Sequence, residues 1–205
     1  MSYIIVGLGN PGEQYENTRH NVGRMALDAI RKEYGGDFEF DKKKNALISE
    51  VEIVSAVSKS PKSKKEKVIL MAPETFMNNS GKAVATVVKT IKAAQKLIVI
   101  YDDFNLPLGR MKISFDRSSG GHNGLESVIK AVKTTAFIRI RIGTAPEDAK
   151  GLAKVPHGED KIEKFILGQF KDEEIKVLSK VMKKVVEAVA VLVTESKEKA
   201  MSIFN

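Results

Sequence analysis

The feature that most constrains the fold is an uninterrupted apolar run at residues 97–101 (LIVIY), followed at once by Asp102 and Asp103. Five consecutive apolar residues, several of them β-branched, favour a strand that is covered on both faces. Such strands are typical of α/β folds, in which helices cover a sheet on both sides. Ligand crevices in these folds lie beyond the carboxyl ends of the strands. The two aspartates therefore stand where a site is expected.

Strand-like and helix-like segments alternate along the chain. Predicted strands cover residues 2–8, 46–57 (as one long or two short strands), 68–71, 97–101, 111–115 and 137–142. Predicted helices cover residues 21–34, a segment from Ser80 to Ile91, 124–132 and 175–192. Some connections are too short for a crossover helix, so at least one pair of neighbouring strands is antiparallel. We predict an α/β fold in which residues 1–205 form a single domain. It is a three-layer sandwich with a twisted mixed β-sheet flanked by helices and a long C-terminal helix.

Composition narrows the classes of function. The chain has no cysteine, which excludes disulfides, thiolate metal sites and cysteine nucleophiles and indicates a cytoplasmic location. No secretory leader or apolar run of about 20 residues is evident, so no membrane partner is expected. With 34 basic and 26 acidic residues, the net charge of +8 favours an anionic partner. Residues 59–67 (KSPKSKKEK) are interpreted as a solvated loop between strands, with nucleic-acid contact as the alternative.

Gly7, Gly9 and Gly12 match the G-x-G-x-x-G pattern of dinucleotide-binding proteins. That fingerprint requires the last glycines to open a helix, yet Pro11 and residues 13–16 show no apolar helical stripe. The expected acidic residue at the end of a second strand is also missing. Nicotinamide cofactor binding is therefore rejected.

The three histidines are His20, His122 and His157. None has the spacing of a metal ligand set, so no metal is expected, and His157 is interpreted as structural. Chemistry without metal or thiol leaves histidine as the natural base, and a carboxylate that fixes its tautomer makes it effective. Asp102 and Asp103 are the leading partners, although they could simply end a strand.

Two asparagines and a serine at residues 78–80 follow Phe76 and Met77. As structure, such residues cap a helix by accepting from free backbone N–H groups. As function, asparagine amides donate to a developing oxyanion and accept from substrate groups. The segment is compatible with both.

Five blocks of this sequence together resemble bacterial-type peptidyl-tRNA hydrolases. They are GLGNPGEQYENTRHNVG at 7–23, PETFMNNSG at 73–81, DDFNLPLG at 102–109, SGGHNGLESV at 119–128 and RIRIG at 139–143. The resemblance implies a hydrolase that cleaves the ester between a peptide and the 3′-terminal ribose of tRNA, releasing tRNA for reuse in translation. The implied partner is peptidyl-tRNA, with no cofactor or metal and no obligate protein partner, so a monomer is expected.

The resemblance also implies roles for individual residues. His20 is the general base for water, Asp102 holds it in its basic form, and Asn10 helps to separate peptidyl-tRNA from aminoacyl-tRNA. The implied substrate-binding residues are Tyr15, Phe76, Met77, Asn78 and Asn123. The implied tRNA phosphate contacts are Arg110, Lys112, Arg117 and Arg141.

The sequence departs from the family at Ser114, where many members carry a basic residue, so Arg110 or Arg117 is expected to substitute. Residues 151–158 (GLAKVPHG) are interpreted either as a moving lid or as an ordinary surface loop. The alternative to an enzyme is a non-catalytic RNA-binding protein of the same fold.

Overall fold

A computed structural model describes residues 2–55 and 64–205. In these residues the strands are β1 Tyr3–Gly7, β2 Glu39–Asp41, β3 Ala46–Val54, β4 Lys65–Pro73, β5 Leu97–Pro107, β6 Met111–Phe115 and β7 Ile138–Ala145. The α-helices are α1 Val22–Tyr34, α2 Ser80–Val84, α3 Ile91–Ala94, α4 Asn123–Val132, α5 Glu159–Ile166, α6 Asp172–Thr194 and α7 Lys197–Phe204. Single 3₁₀ turns form at Glu13–Tyr15, Arg19–Asn21 and Met77–Asn79.

The strands form one mixed sheet in the order β2-β3-β4-β1-β5-β7-β6. The four central strands β4, β1, β5 and β7 are mutually parallel, and antiparallel pairs flank them on both sides. The parallel register of β1 and β5 places Gly7 opposite Ile100, so both strands reach the same edge of the sheet. The segments that follow β1, β4 and β5 therefore converge at that carboxyl edge.

Apolar side chains cover both faces of the sheet and make two separate cores. One core joins α1 and α6 to the sheet through residues such as Leu27, Ile100 and Val185, and the other joins α2 and α4 to the opposite face through Val99 and Val128. The predicted three-layer α/β sandwich with a twisted mixed sheet and a long helix near its C-terminus is confirmed. None of the described helices is long and apolar enough to cross a bilayer.

One predicted helix is wrong. The helix that begins at Ser80 ends at Val84, and α3 begins only at Ile91, because Thr86 and Val87 donate to carbonyls three residues back and tighten the chain after α2. Thr90 then caps α3 by accepting from the backbone N–H of Ala93. The apolar spacing continues through this break, which is why the sequence pattern does not reveal it.

Other element boundaries also differ from the predictions. Strand β5 extends six residues past the apolar run, and the prediction omits β2, α5 and α7, which have only three or eight residues each. Residues 65–67 of the lysine-rich stretch belong to β4, whereas residues 59–63 lie outside the described part. Gly151 and Gly158 adopt positive φ at the two ends of the proposed lid, and its movement stays a prediction.

The glycines of the apparent nucleotide fingerprint instead permit close packing of α1 on the sheet. The chain after Gly12 enters a 3₁₀ turn, and α1 begins only at Val22. A Cβ on Gly7 would lie 2.3 Å from the carbonyl oxygen of Gly23, and a Cβ on Gly23 would lie 2.3 Å from that of Ile100. The rejection of a dinucleotide-binding turn is therefore supported by the packing.

We expect Gly23→Ala to reduce the free energy of unfolding by about 3 kcal/mol, because backbone oxygens cannot move aside as flexible side chains do. Denaturant unfolding monitored by circular dichroism measures the change. Glu33→Ala on the exposed side of the same helix is the control, with a change of less than about 0.5 kcal/mol. Equal stability of both variants would contradict the close-packing explanation.

Candidate active site

His20 and Asp102 form a buried hydrogen-bonded pair at the carboxyl edge of the sheet. His20 Nδ1 lies 2.8 Å from Asp102 Oδ1, and both side chains are almost fully buried. His20 belongs to the 3₁₀ turn Arg19–Asn21, whereas Asp102 lies on β5. Arg19 anchors this turn, since its guanidinium binds both carboxylate oxygens of Glu174 at 2.9 Å. The predicted pairing of His20 with Asp102 is thus present in the structure.

The pair fixes the chemistry of the imidazole. Because the carboxylate can only accept, Nδ1 of His20 carries the hydrogen and Nε2 keeps its lone pair. Burial disfavours the imidazolium, but attraction to Asp102 and the hydrogen bond between them outweigh it and raise the pKa of His20. The pKa of Asp102 is lowered, since the two neighbouring rings overcome the effect of its burial. The ring is therefore arranged to accept a proton at Nε2.

A second histidine contacts the same carboxylate oxygen. His122 Nε2 lies 3.0 Å from Asp102 Oδ1, and its Nδ1 accepts from the backbone N–H of Leu125 at 3.1 Å. Sequence reasoning missed this contact, since His122 stands at the N-cap of α4 and 20 residues from Asp102. The predicted secondary partner Asp103 instead pairs with Arg141 at 2.6 Å.

Asn10 follows β1 and is held by reciprocal hydrogen bonds. Its backbone N–H donates to Asn21 Oδ1 at 2.8 Å, and Asn21 Nδ2 donates to its carbonyl at 2.9 Å. Its side-chain Oδ1 accepts from the backbone N–H of Met77 at 2.8 Å, whereas Nδ2 has no hydrogen-bond acceptor within residues 2–55 and 64–205. The amide is thereby oriented with the N–H groups of Nδ2 left for a ligand. Asn21 was not predicted, and only the tertiary contact identifies it.

The other predicted substrate-binding residues occupy different environments. Met77 is buried against Gly124, whereas Phe76 is 60% exposed beside it. Asn78 and Asn123 line one cavity of about 420 Å³ between the Met77–Asn79 turn and α4. Tyr15 ends the 3₁₀ turn that follows Asn10, and its carbonyl accepts from Thr18 Oγ1 at 2.8 Å.

Three of the four predicted phosphate contacts line one cavity. Lys112, Arg117 and Arg141 surround a polar cavity of about 470 Å³, which also reaches Asp102 and His122. Arg110 is not among its lining residues and pairs with Glu147 at 3.2 Å. Ser114 lies in the cavity wall and is buried, and Arg117 lines the same cavity whereas Arg110 does not.

A larger groove, of about 860 Å³, lies between α1 and α6. Its floor includes Met25, Leu178 and Met182, its rim carries charges of both signs, and it contains none of the predicted site residues. We therefore place the candidate active site at the hydrogen-bonded groups of the sheet edge and not in this groove, although the groove is larger.

Ligand-type atoms of His20, Asp102 and His122 lie within 4.8 Å of one another, a grouping that sequence spacing does not reveal. In the observed arrangement, however, the ring nitrogens that face Asp102 carry hydrogen, and His122 Nδ1 is occupied by Leu125. Their lone pairs are not directed at a common point. The donor set fits a proton-sharing network better than a metal centre.

An imidazole base supported by a carboxylate, with asparagine donors around it, is typical of hydrolases that activate water. A family model described as peptidyl-tRNA hydrolase matches residues 4–205. The chain therefore belongs to the peptidyl-tRNA hydrolase family.

Individual relatives agree with this family. A peptidyl-tRNA hydrolase from Aquifex aeolicus is 40% identical over 203 residues, which cover 98% of this chain and 95% of the relative. One from Caldanaerobacter subterraneus subsp. tengcongensis is 40% identical over 205 residues, with 99% of each chain covered. The crystal structure of peptidyl-tRNA hydrolase from Acinetobacter baumannii has a TM-score of 0.82 at 25% identity, covering 100% of this chain and 94% of that one.

We expect Asp102→Asn to lower the pKa of His20, because the anion that offsets burial is removed while the shape is kept. The pKa of His20 is higher in the folded protein than its value of about 6.5 in the unfolded chain, so protonation of His20 stabilises the fold. This stabilisation is complete at pH values below about 6.5 and is lost as the pH rises through the pKa of His20 in the folded protein. The variant should therefore show a weaker decline of stability above that pH. NMR titration of the His20 ring measures the pKa directly, and an unchanged value would refute this account.

Proposed function

We propose that this protein hydrolyses the ester bond between the peptide and the 3′-terminal ribose of peptidyl-tRNA. Membership of the peptidyl-tRNA hydrolase family supports the reaction class. The observation that carries the mechanism is the 2.8 Å contact between His20 Nδ1 and Asp102 Oδ1, which leaves Nε2 of His20 to act as the base.

In the proposed mechanism, His20 Nε2 takes a proton from water as the water oxygen attacks the ester carbonyl. Asp102 stabilises the imidazolium that forms and holds the ring in place. Collapse of the tetrahedral intermediate breaks the bond to the ribose oxygen, which receives the proton from His20. The products are tRNA and a peptide carboxylic acid, which releases its proton to solvent, so water is the only co-reactant.

The asparagines supply neutral hydrogen-bond groups around the reacting ester. We assign the free Nδ2 of Asn10 to the acylated amine end of the substrate, because its Oδ1 is already bound to Met77. Asn78 and Asn123 share a cavity and are proposed to bind the ester or the terminal adenosine and to position water. Tyr15, Phe76 and Met77 are proposed to line the peptide side.

The tRNA body is proposed to bind through its phosphates, with Lys112, Arg117 and Arg141 as the main contacts and Arg110 at their margin. Arg141 is already paired with Asp103, so it serves as a fixed contact. We further propose that the protein is a single-domain monomer acting in the cytoplasm without cofactor or metal. One continuous sheet supports the single domain, and the absence of cysteine suits a reducing compartment.

We expect His20→Ala to lower the rate of ester hydrolysis by a factor of about 1,000, because the water then lacks its general base. The assay is single-turnover release of amino acid from N-acetylaminoacyl-tRNA. His157→Ala, which alters an exposed histidine, is the matched control and should keep full activity. Binding of tRNA by the His20→Ala variant should persist.

The same assay separates the enzyme from a non-catalytic RNA-binding protein. A pure binding protein would retain tRNA yet release no amino acid from any variant, including the unaltered chain. Full activity of the His20→Ala variant would instead refute the assignment of the base.

We expect Asn10→Asp to weaken discrimination against substrates with a free amine. The new carboxylate still accepts from Met77, but it replaces the free amide donor with an anion that attracts an α-ammonium. The ratio of kcat/KM for N-acetylaminoacyl-tRNA to that for aminoacyl-tRNA should fall about tenfold or more. An unchanged ratio, with an unchanged Tm, would remove Asn10 from this role.

A further inference from the structure

Asp102 receives hydrogen bonds from two imidazoles through a single carboxylate oxygen. Oδ1 lies 2.8 Å from His20 Nδ1 and 3.0 Å from His122 Nε2, and all three side chains are buried. The proposed mechanism uses the first contact only. In the second contact, His122 donates to the same oxygen of Asp102 that accepts the hydrogen bond from the base His20.

The tautomer of the neutral His122 ring is determined by the hydrogen bond at Nδ1. Nδ1 accepts from the backbone N–H of Leu125 at the start of α4, so in the neutral ring the hydrogen resides on Nε2 and points at Asp102. Tyr101 packs edge-on against the ring with centroids 4.9 Å apart. Turning the ring over would break both hydrogen bonds, so the donor is held in this direction.

We propose that His122 is a positioning residue that fixes Asp102 and limits how strongly this carboxylate raises the basicity of His20. This inference rests on the proposed function for its catalytic meaning. A carboxylate oxygen that accepts two hydrogen bonds stabilises each donor less than one that accepts a single bond. With His122 in place, His20 returns its proton more readily to the leaving ribose oxygen.

Few other charges face this network. Within the described residues, Asp102 on β5 is faced by His20 from the Arg19–Asn21 turn and by His122 from the start of α4. Burial raises the pKa of Tyr101 to about 12, so the phenol beside His122 stays neutral in the working range. Asp103 is paired with Arg141, and Lys112 and Arg117 are exposed residues that line the same cavity. The rings of His20 and His122 also contact each other, with centroids 5.0 Å apart, so the effect transmitted through Asp102 is the part of the change that His122→Gln reverses.

Two substitutions separate the two nitrogens of His122. The His122→Asn variant keeps an acceptor near Nδ1 for the α4 cap but is too short to donate to Asp102. The His122→Gln variant places an amide N–H near the position of Nε2 but caps the helix poorly. The His122→Asn variant therefore removes the hydrogen bond to Asp102, whereas the His122→Gln variant removes the cap of α4.

The primary measurement is an NMR titration of the His20 ring in the free protein, which needs no catalytic activity. We expect His122→Asn to raise the His20 titration midpoint by about half a unit to one unit. His122→Gln should restore the midpoint while lowering Tm. The pH dependence of kcat/KM on N-acetylaminoacyl-tRNA should shift in parallel, upward for His122→Asn only.

The outcomes distinguish this inference from the proposed function. An unchanged or lowered His20 midpoint in the His122→Asn variant overturns it, as does a His122→Gln variant that titrates like His122→Asn. If the unaltered protein hydrolyses no ester, the proposed function fails, yet the NMR titration still decides whether His122 sets the basicity of His20.

Discussion

The site is organised by one buried anion, the carboxylate of Asp102. An unpaired charge in such a position would be strongly destabilising, so it must collect donors from its surroundings. It does so from His20 and His122, which come from distant parts of the chain. The hydrogen bonds that stabilise the Asp102 carboxylate also orient both rings. The stability of the fold around Asp102 is therefore linked to the chemistry of the His20 imidazole.

The parallel strands explain how distant residues meet. Strands β4, β1 and β5 end at one edge, so the loops after them bring together the Met77–Asn79 turn, Asn10 and the end of β5. Close packing at Gly7 and Gly23 lets α1 approach β1 and β5 and thereby fixes the turn that carries His20. The glycine spacing that resembles a nucleotide fingerprint is thus a consequence of helix packing.

Hydrogen bonds among backbone and side chains then refine the arrangement. Asn21 holds both backbone groups of Asn10, and Met77 occupies one side of its amide. Arg19 ties the His20 turn to Glu174 at the start of α6, so the long helix also contributes to the position of the base. Rigid support of this kind reduces the reorganisation that catalysis would otherwise require.

The sequence by itself determined the α/β class, the buried apolar run that leads into Asp102, most helices, and His20 and Asp102 as the candidate base and its partner, because apolar periodicity and local motifs encode them. It did not determine the break after α2, since the apolar spacing runs through it. Only the tertiary structure decided that His122 shares Asp102 with His20, that Asn21 holds Asn10 and that Asp103 turns to Arg141. Those choices depend on distances between segments far apart in the chain, and such distances arise only when the sheet and its helices pack together.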